Sequence, residues 1–436
     1  MQKNNEAIVA SKTQYLGSFA ASISTLIFGL VTGAITARVL GPEGRGEFAG
    51  ISYIAASSTG LVMTLVSSQA LISQILEDKK AEDPNLIVLL MAILGIIVSQ
   101  IFLLVFSDGM GNNSMLLTTI IVGILSFTQI IYNGFCTIQR GRGNFNVVSL
   151  SIISIPIIYL FGIISLYYLG LMTVNAILLI NMLPIAIFGI YFYRASNSGL
   201  LISKNSVMPY IRSGHSFLYL SIMSFAIISV DRALLLRLSN LTELGYYSVA
   251  SALTSPLIVI AETFVLISFI EVRSSENGVL VALSRFRIGQ VVLIFFGTFL
   301  ILFGPFLVKI IFGQEYINSI QTVKWLAITM IFRGLWLFLD NSLQAMKFKS
   351  LSFIISFIGL ISIIFMGLIF VPREGSVGAA KAIFFGYIVM FTFEILIWKF
   401  ILKVNYYDFF GFNSRTLSPL FSMIVLRIKI ICSYVK

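Results

Sequence analysis

The sequence predicts an all-α polytopic membrane protein, with about twelve transmembrane helices arranged in two six-helix lobes. Three observations carry this. Of the 436 residues, 58% are hydrophobic and only 11% are charged, against about 25% charged in a soluble domain; mean hydropathy is +0.98. That leaves too little polar surface to cover a globule of this size, so lipid is the solvent for most of the chain. A window of roughly 19 residues finds about twelve apolar runs long enough to cross a bilayer. These runs are too long for barrel strands, and only a helix satisfies its own backbone in hydrocarbon.

Taken in order, span one covers 14–37 and ends at Arg38, before the Gly41–Gly46 loop; span two covers 48–72 and stops short of Lys79 and Lys80. Span three is 85–106. Span four, 114–138, exits through Arg140 and Arg142. Spans five (147–169) and six (172–193) carry Pro156 and Pro184, and span six closes at Arg194. The longest connector, Arg194–Ser213, leads into span seven, 214–237, which runs from near His215 to Arg237. Span eight, 245–270, holds Pro256 and Glu262 and is followed by Arg273; span nine, 286–312, begins beside Arg285 and Arg287 and contains Pro305. Span ten, 321–345, contains Arg333 and Asp340 and exits at Lys347 and Lys349. Span eleven is 350–371, before Arg373. Span twelve, 377–401, contains Glu394 and reaches Lys399 and Lys403. The remainder, 404–436, is a basic amphipathic tail: Leu417–Ile431 is apolar but interrupted by Pro419, Arg427 and Lys429, which suits the cytoplasmic face of a membrane better than its core.

Placing the N-terminus in the cytoplasm puts 20 of the 29 Lys and Arg on that side and eight on the other, with Arg333 inside a span. The positive-inside rule therefore predicts cytoplasmic termini. The same bias accounts for the net charge of +11 without nucleic acid, through anionic headgroups. Two cysteines and one histidine exclude a disulfide framework, a thiolate cluster and a His-rich or HExxH metal site. No Walker loop is present. No catalytic residue, metal or cofactor is expected.

The Arg194–Ser213 connector divides the chain into an N-terminal lobe, 1–200, and a C-terminal lobe, 201–403. The halves are weakly alike. Arg38, Gly46 and Phe48 recur as Arg237, Gly245 and Tyr247 at an offset of 199, and Arg140–Arg142 recurs as Lys347–Lys349 at an offset of 207. Six spans is an even number, so the repeats run parallel, about an axis along the membrane normal, as in transporters that rock about a central site.

The string Ala37-Arg-Val-Leu-Gly-Pro-Glu-Gly-Arg-Gly-Glu-Phe-Ala49 resembles the first-loop signature of bacterial polysaccharide flippases, the O-antigen (Wzx-type) exporters of the MOP superfamily (multidrug, oligosaccharidyl-lipid and polysaccharide exporters). Asp231-Arg232-Ala-Leu-Leu, followed by Leu244-Gly-Tyr-Tyr247, is similar to their second-half counterpart, although it lacks a glycine between Leu235 and Leu241. The resemblance implies a MATE/MOP-like transporter. It would move an undecaprenyl-pyrophosphate-linked oligosaccharide from the cytoplasmic to the outer leaflet, as a monomer among membrane lipids and polysaccharide assembly proteins, with H⁺ or Na⁺ as coupling ion.

Such a headgroup needs a wet, cationic path, and a charge at the bilayer centre costs about 2.5–3.5 kcal/mol on the mildest scale. Every intramembrane charge is therefore a candidate. Arg38, Arg232, Arg237 and Arg333 are candidate phosphate contacts, because guanidinium binds phosphate bidentately; Arg38 and Arg237 would otherwise snorkel to the interface. Arg45 and Glu43 read as loop structure. Arg333 and Asp340 lie seven residues apart on one face of span ten, which reads as a pair with Asp340 orienting Arg333. Asp231, Glu262, Asp340 and Glu394 are candidates for gating or ion coupling, since burial favours the protonated carboxyl. The amides Gln69, Gln129, Asn133 and Asn181 read first as packing groups, and His215 as an interfacial residue. The rivals are a cation-coupled drug antiporter of the same superfamily, a polysaccharide polymerase or ligase, for which the external loops are too short, and an interaction scaffold.

Overall fold

The computed structural model describes residues 12–65, 84–106, 115–196, 208–275 and 277–410. Gln69, the middle of the Arg194–Ser213 connector and the Leu417–Ile431 segment lie outside the described residues, as does the side chain of His215. Among the described residues every regular element is helical, and ten helices are long and apolar enough to cross a membrane.

Two of the ten carry two spans each. Helix Lys12–Leu65 breaks at Gly41 (φ 66°) ahead of Pro42, and helix Lys349–Phe400 breaks at Gly375 (φ 56°) after Pro372. Both breaks reverse the chain. A straight helix would separate residues 33 and 45 by about 18 Å, yet a Cβ on Gly33 would lie 3.6 Å from Arg45 Nη2. Likewise the rings of Phe370 and Phe385 stack at 5.9 Å. The helices Pro84–Phe106, Met115–Gly141, Phe145–Leu169, Val174–Ala195, Met208–Leu238, Leu241–Ser274, Gly278–Leu307 and Ser319–Ala345 supply spans three to ten. A short helix, Tyr406–Phe410, follows span twelve.

Local chemistry sets several of these ends. Thr173 and Asn240 cap spans six and eight, accepting from the N–H groups of Ala176 and Glu243, and Gly170 closes span five in the left-handed conformation. Beyond Pro305, span nine ends in a π-turn, Val308–Phe312, followed by Gly313 at φ 99°. Apolar side chains point outward, with Leu104, Phe161 and Phe295 among the most exposed. The inter-helix surfaces use small and hydroxylated residues, such as the Ser58–Ser126 and Thr322–Ser376 hydrogen bonds at 2.8 and 3.0 Å.

Spans three to six pack on the first hairpin and on one another, and spans seven to twelve pack together; the halves meet chiefly where the first hairpin lies on spans seven and eight. Gly375 matters to the second set. A Cβ there would lie 2.5 Å from the Glu243 carboxyl, which is pinned by accepting from Ser376 N at 2.8 Å. Alanine also costs roughly 1–2 kcal/mol in a left-handed conformation. Gly375→Ala is expected to lower the melting temperature of the detergent-solubilised protein by several degrees; an unchanged Tm would refute this account of the turn.

Candidate functional site

The described contacts between the halves cluster toward the end that carries the 38–48 connector. Gly46 and Gly245 face each other there: a Cβ on Gly46 would lie 1.7 Å from Leu241 O, and one on Gly245 would lie 1.9 Å from Pro42 O. Two backbones therefore touch at a point where only glycine fits. Tyr316 donates from its hydroxyl to Ala37 O at 2.9 Å, and deeper in the membrane Tyr53 donates to Ser229 O at 2.8 Å. A Cβ on Gly60 would meet the Phe225 ring at 2.7 Å.

The two repeat-related arginines flank this seam in the same way. Arg38 Nε donates to Ile311 O at 3.0 Å and its Nη2 to Ile310 O, covering the π-turn carbonyls at the end of span nine. Arg237 Nη1 donates to Val105 O, at the end of span three, at 3.3 Å. Each arginine thus crosses to the opposite half and caps the third span of the other repeat, with both side chains exposed. The structure places neither in the interior polar cluster: a guanidinium at the helix end meets the neighbouring helix's unpaired carbonyls first. Arg38→Ala and Arg237→Ala are each expected to leave transport within about threefold of wild type, as surface substitutions do; a loss of transport comparable to that of an interior arginine would overturn this.

Beneath the seam lies a polar cluster drawn from both halves. The Gly41 reversal brings Arg45 back along span one, where Nη1 donates to Thr36 Oγ1 at 2.9 Å and the guanidinium lies 5.1 Å from the Phe48 ring centroid. Its Nε is buried without a partner. Tyr159, Tyr316 and Arg232 are within electrostatic range of Arg45. Asp231 accepts from Tyr247 Oη at 2.5 Å and from the Arg232 N–H at 2.7 Å, while Arg232 Nη2 reaches Ser251 Oγ at 3.4 Å. Arg333 lies over the Tyr387 ring, 5.9 Å from its centroid, and Asp231 and Glu262 are in electrostatic range of the same tyrosine. Arg45, Arg232 and Arg333 form no ion pair with a carboxylate among the described residues. Glu262 is exposed in mid-span, and Asp231 already holds two donors.

The structure thus brings together Asp231, Arg232, Glu262 and Arg333. It adds Arg45, whose place in the sequence reads as loop structure, and Tyr53, Tyr159, Tyr247 and Tyr387, four of the 55 Phe and Tyr residues, of which only Tyr247, the repeat counterpart of Phe48, carries a sequence signal. Asp340 is elsewhere. It is buried, accepts from Gln344 Nε2 at 2.8 Å and from Ser352 Oγ, and makes no ion pair with Arg333. This corrects the expected pair: seven residues are about 10.5 Å of helix rise, and Asp340 is held toward span eleven. Glu394 is also fully buried, with Trp398 Nε1 donating to it at 3.4 Å. Gln129 accepts from Thr59 at 3.2 Å, which suits a packing amide.

No family model matches the chain, and no curated protein matches it significantly in sequence. Solved structures do match it in fold. The lipid II flippase MurJ in an inward closed conformation superposes with a TM-score of 0.72 at 15% identity, covering 94% of this chain and 92% of that one. An inward-facing multidrug resistance MATE family transporter of the MOP superfamily gives 0.63 at 16% identity, over 89% of this chain and 98% of that one. A MOP superfamily transporter from Pyrococcus furiosus, described as having a binding pocket of reversed polarity, gives 0.58 at 17% identity, over 89% and 94%. At these identities the likeness is one of architecture, and this multi-pass membrane chain has the fold shared by MurJ and the MATE transporters.

Proposed function

We propose that the protein is a flippase for an undecaprenyl-pyrophosphate-linked oligosaccharide, the repeat unit of an O-antigen or other surface polysaccharide. It would act in the bacterial inner membrane with both termini cytoplasmic. The lobes 1–200 and 201–403 rock about the interior cluster, and the Gly46–Gly245 seam is the gate on the external side. One observation carries the reading. Arg45, Arg232 and Arg333, from both halves, lie beneath the seam without an ion-paired carboxylate among the described residues. Three guanidinium groups against the two carboxylates Asp231 and Glu262 leave a net positive charge in the membrane interior that favours an anion, and a pyrophosphate supplies two bidentate acceptors. The neighbouring tyrosines offer faces and hydroxyls for a sugar. MurJ, itself a lipid II flippase, supports the reading as the neighbour with a TM-score of 0.72.

A second reading, export of a cationic drug in exchange for H⁺ or Na⁺, draws support from the MATE neighbours and from Asp231 and Glu262 in the same cluster. A deletion strain separates the two. Loss of surface polysaccharide, with lipid-linked units accumulating on the cytoplasmic leaflet, is the expected result. Intact polysaccharide with raised sensitivity to cationic drugs would replace the first reading by the second.

A further inference from the structure

Away from the arginine cluster, the structure buries a second ionisable site. Glu394 on span twelve is fully buried, and so is Asp340 on span ten. The two spans share a packed seam in which Phe332 meets Phe391 and Trp336 meets Tyr387, ring to ring, at 5.9 and 5.7 Å. Asp340 follows Trp336 by four residues and Glu394 follows Tyr387 by seven, so both carboxyls come next along that seam, and they lie within electrostatic range of each other.

Their hydrogen bonding is unequal. Both Asp340 oxygens accept hydrogen bonds, one from Gln344 and one from Ser352. Glu394 Oε1 receives the Trp398 indole N–H, while Glu394 Oε2 is buried with no partner. Three cations of the surrounding elements are engaged elsewhere. Arg285 of span nine is bidentate on Glu271, Arg287 donates to the Asp408 carbonyl of the terminal short helix, and Lys399 lies 4.1 Å from the Tyr406 ring centroid. No cation pairs with either carboxyl among the described residues. Two buried carboxylates with no cation between them cannot both remain ionised. A proton resolves the conflict, because it removes one charge and supplies a donor where Oε2 has none.

We propose that Glu394 and Asp340 form a proton-binding pair that holds one proton between them, and that this pair is the coupling site of the transporter. The step is simple: a proton from solution adds to the Glu394 carboxylate on loading and returns to solution on release, with no change at Asp340. Loading and release alter the packing of spans ten and twelve, which carry the Arg333–Tyr387 contact about two helical turns away. That last link rests on the transporter reading above; proton binding itself does not.

Trp398 provides a direct reporter. The test uses purified full-length protein in lipid nanodiscs with Trp325→Phe and Trp336→Phe, leaving one tryptophan. Its emission should follow a single-proton transition as the pH is varied. Glu394→Gln should abolish the transition, Glu394→Asp should retain one, and Asp340→Asn should move its midpoint. Emission that is independent of pH in the parent, or an unchanged transition in Glu394→Gln, overturns the pair. Glu394→Asp guards against misreading a packing defect as loss of titration. A normal titration in a protein that complements no polysaccharide defect would leave the pair standing and remove the flippase reading.

Discussion

Gly46→Ala and Gly245→Ala are each expected to stop transport while leaving the protein folded and inserted. The added Cβ would lie 1.7 or 1.9 Å from a carbonyl oxygen of the opposite half, and a backbone atom cannot swing away as a side chain can. The collision arises at the Cβ itself, so alanine is already sufficient. Overpacking of this kind costs typically 1–3 kcal/mol, which at its upper end shifts a two-state equilibrium by roughly 150-fold. The shift disfavours the state with the seam closed, through which every cycle of the proposed alternating-access transporter passes. Measurement has two parts. Complementation reports transport. For the gate, Ala37→Cys, buried beside Tyr316, can be introduced with Cys136 and Cys432 replaced by serine. It should be protected from a membrane-impermeant maleimide in the parent and labelled from outside in the glycine variants. Wild-type transport by Gly245→Ala would show that the seam need not close.

That prediction also marks how far the sequence alone could reach. The offset of 199 that relates Gly46 to Gly245 and Arg38 to Arg237 is visible in the sequence as a repeat. Its meaning is spatial: the glycines meet each other, and the arginines cross to equivalent helix ends in opposite halves. Hydropathy gave the number and order of the spans, because the length of an apolar run is fixed by bilayer thickness. It could not give azimuth. Arg38 lies at the end of a span and Arg45 beyond it, so linear order favoured Arg38 as the interior group. The reversal at Gly41 inverts that order, returning Arg45 beside Gly33 and Thr36 and leaving Arg38 at the surface. Asp340 failed for a related reason: a shared helix face was legible, but the helix that face is pressed against was not. The placement of Arg333 on Tyr387, within electrostatic range of Asp231 and Glu262, needs tertiary contacts between spans that no local pattern reports.

Arg333→Ala, Arg232→Ala and Arg45→Ala should each reduce transport of the lipid-linked substrate by about 10- to 100-fold, the worth of one buried charge-assisted hydrogen bond at roughly 1.5–3 kcal/mol. The three differ in how lysine should behave. Arg45 is held by Thr36 and lies against Phe48, and Arg333 lies against Tyr387; both placements use the flat guanidinium, so lysine should recover only a small part of the lost activity. Among the described residues the Arg232 guanidinium has a single long hydrogen bond, to Ser251, and lysine there should recover more. The readout is lipid-linked oligosaccharide retained on the cytoplasmic leaflet at matched membrane abundance of each variant. Glu262→Gln gives the opposing arm. Removing a negative charge from a site that binds pyrophosphate should leave transport intact or strengthen it, whereas a site built for a cationic drug would lose activity. An arginine series without effect, combined with a damaging Glu262→Gln, would mean that the cluster recognises cations, and the substrate assignment would pass to the antiporter reading.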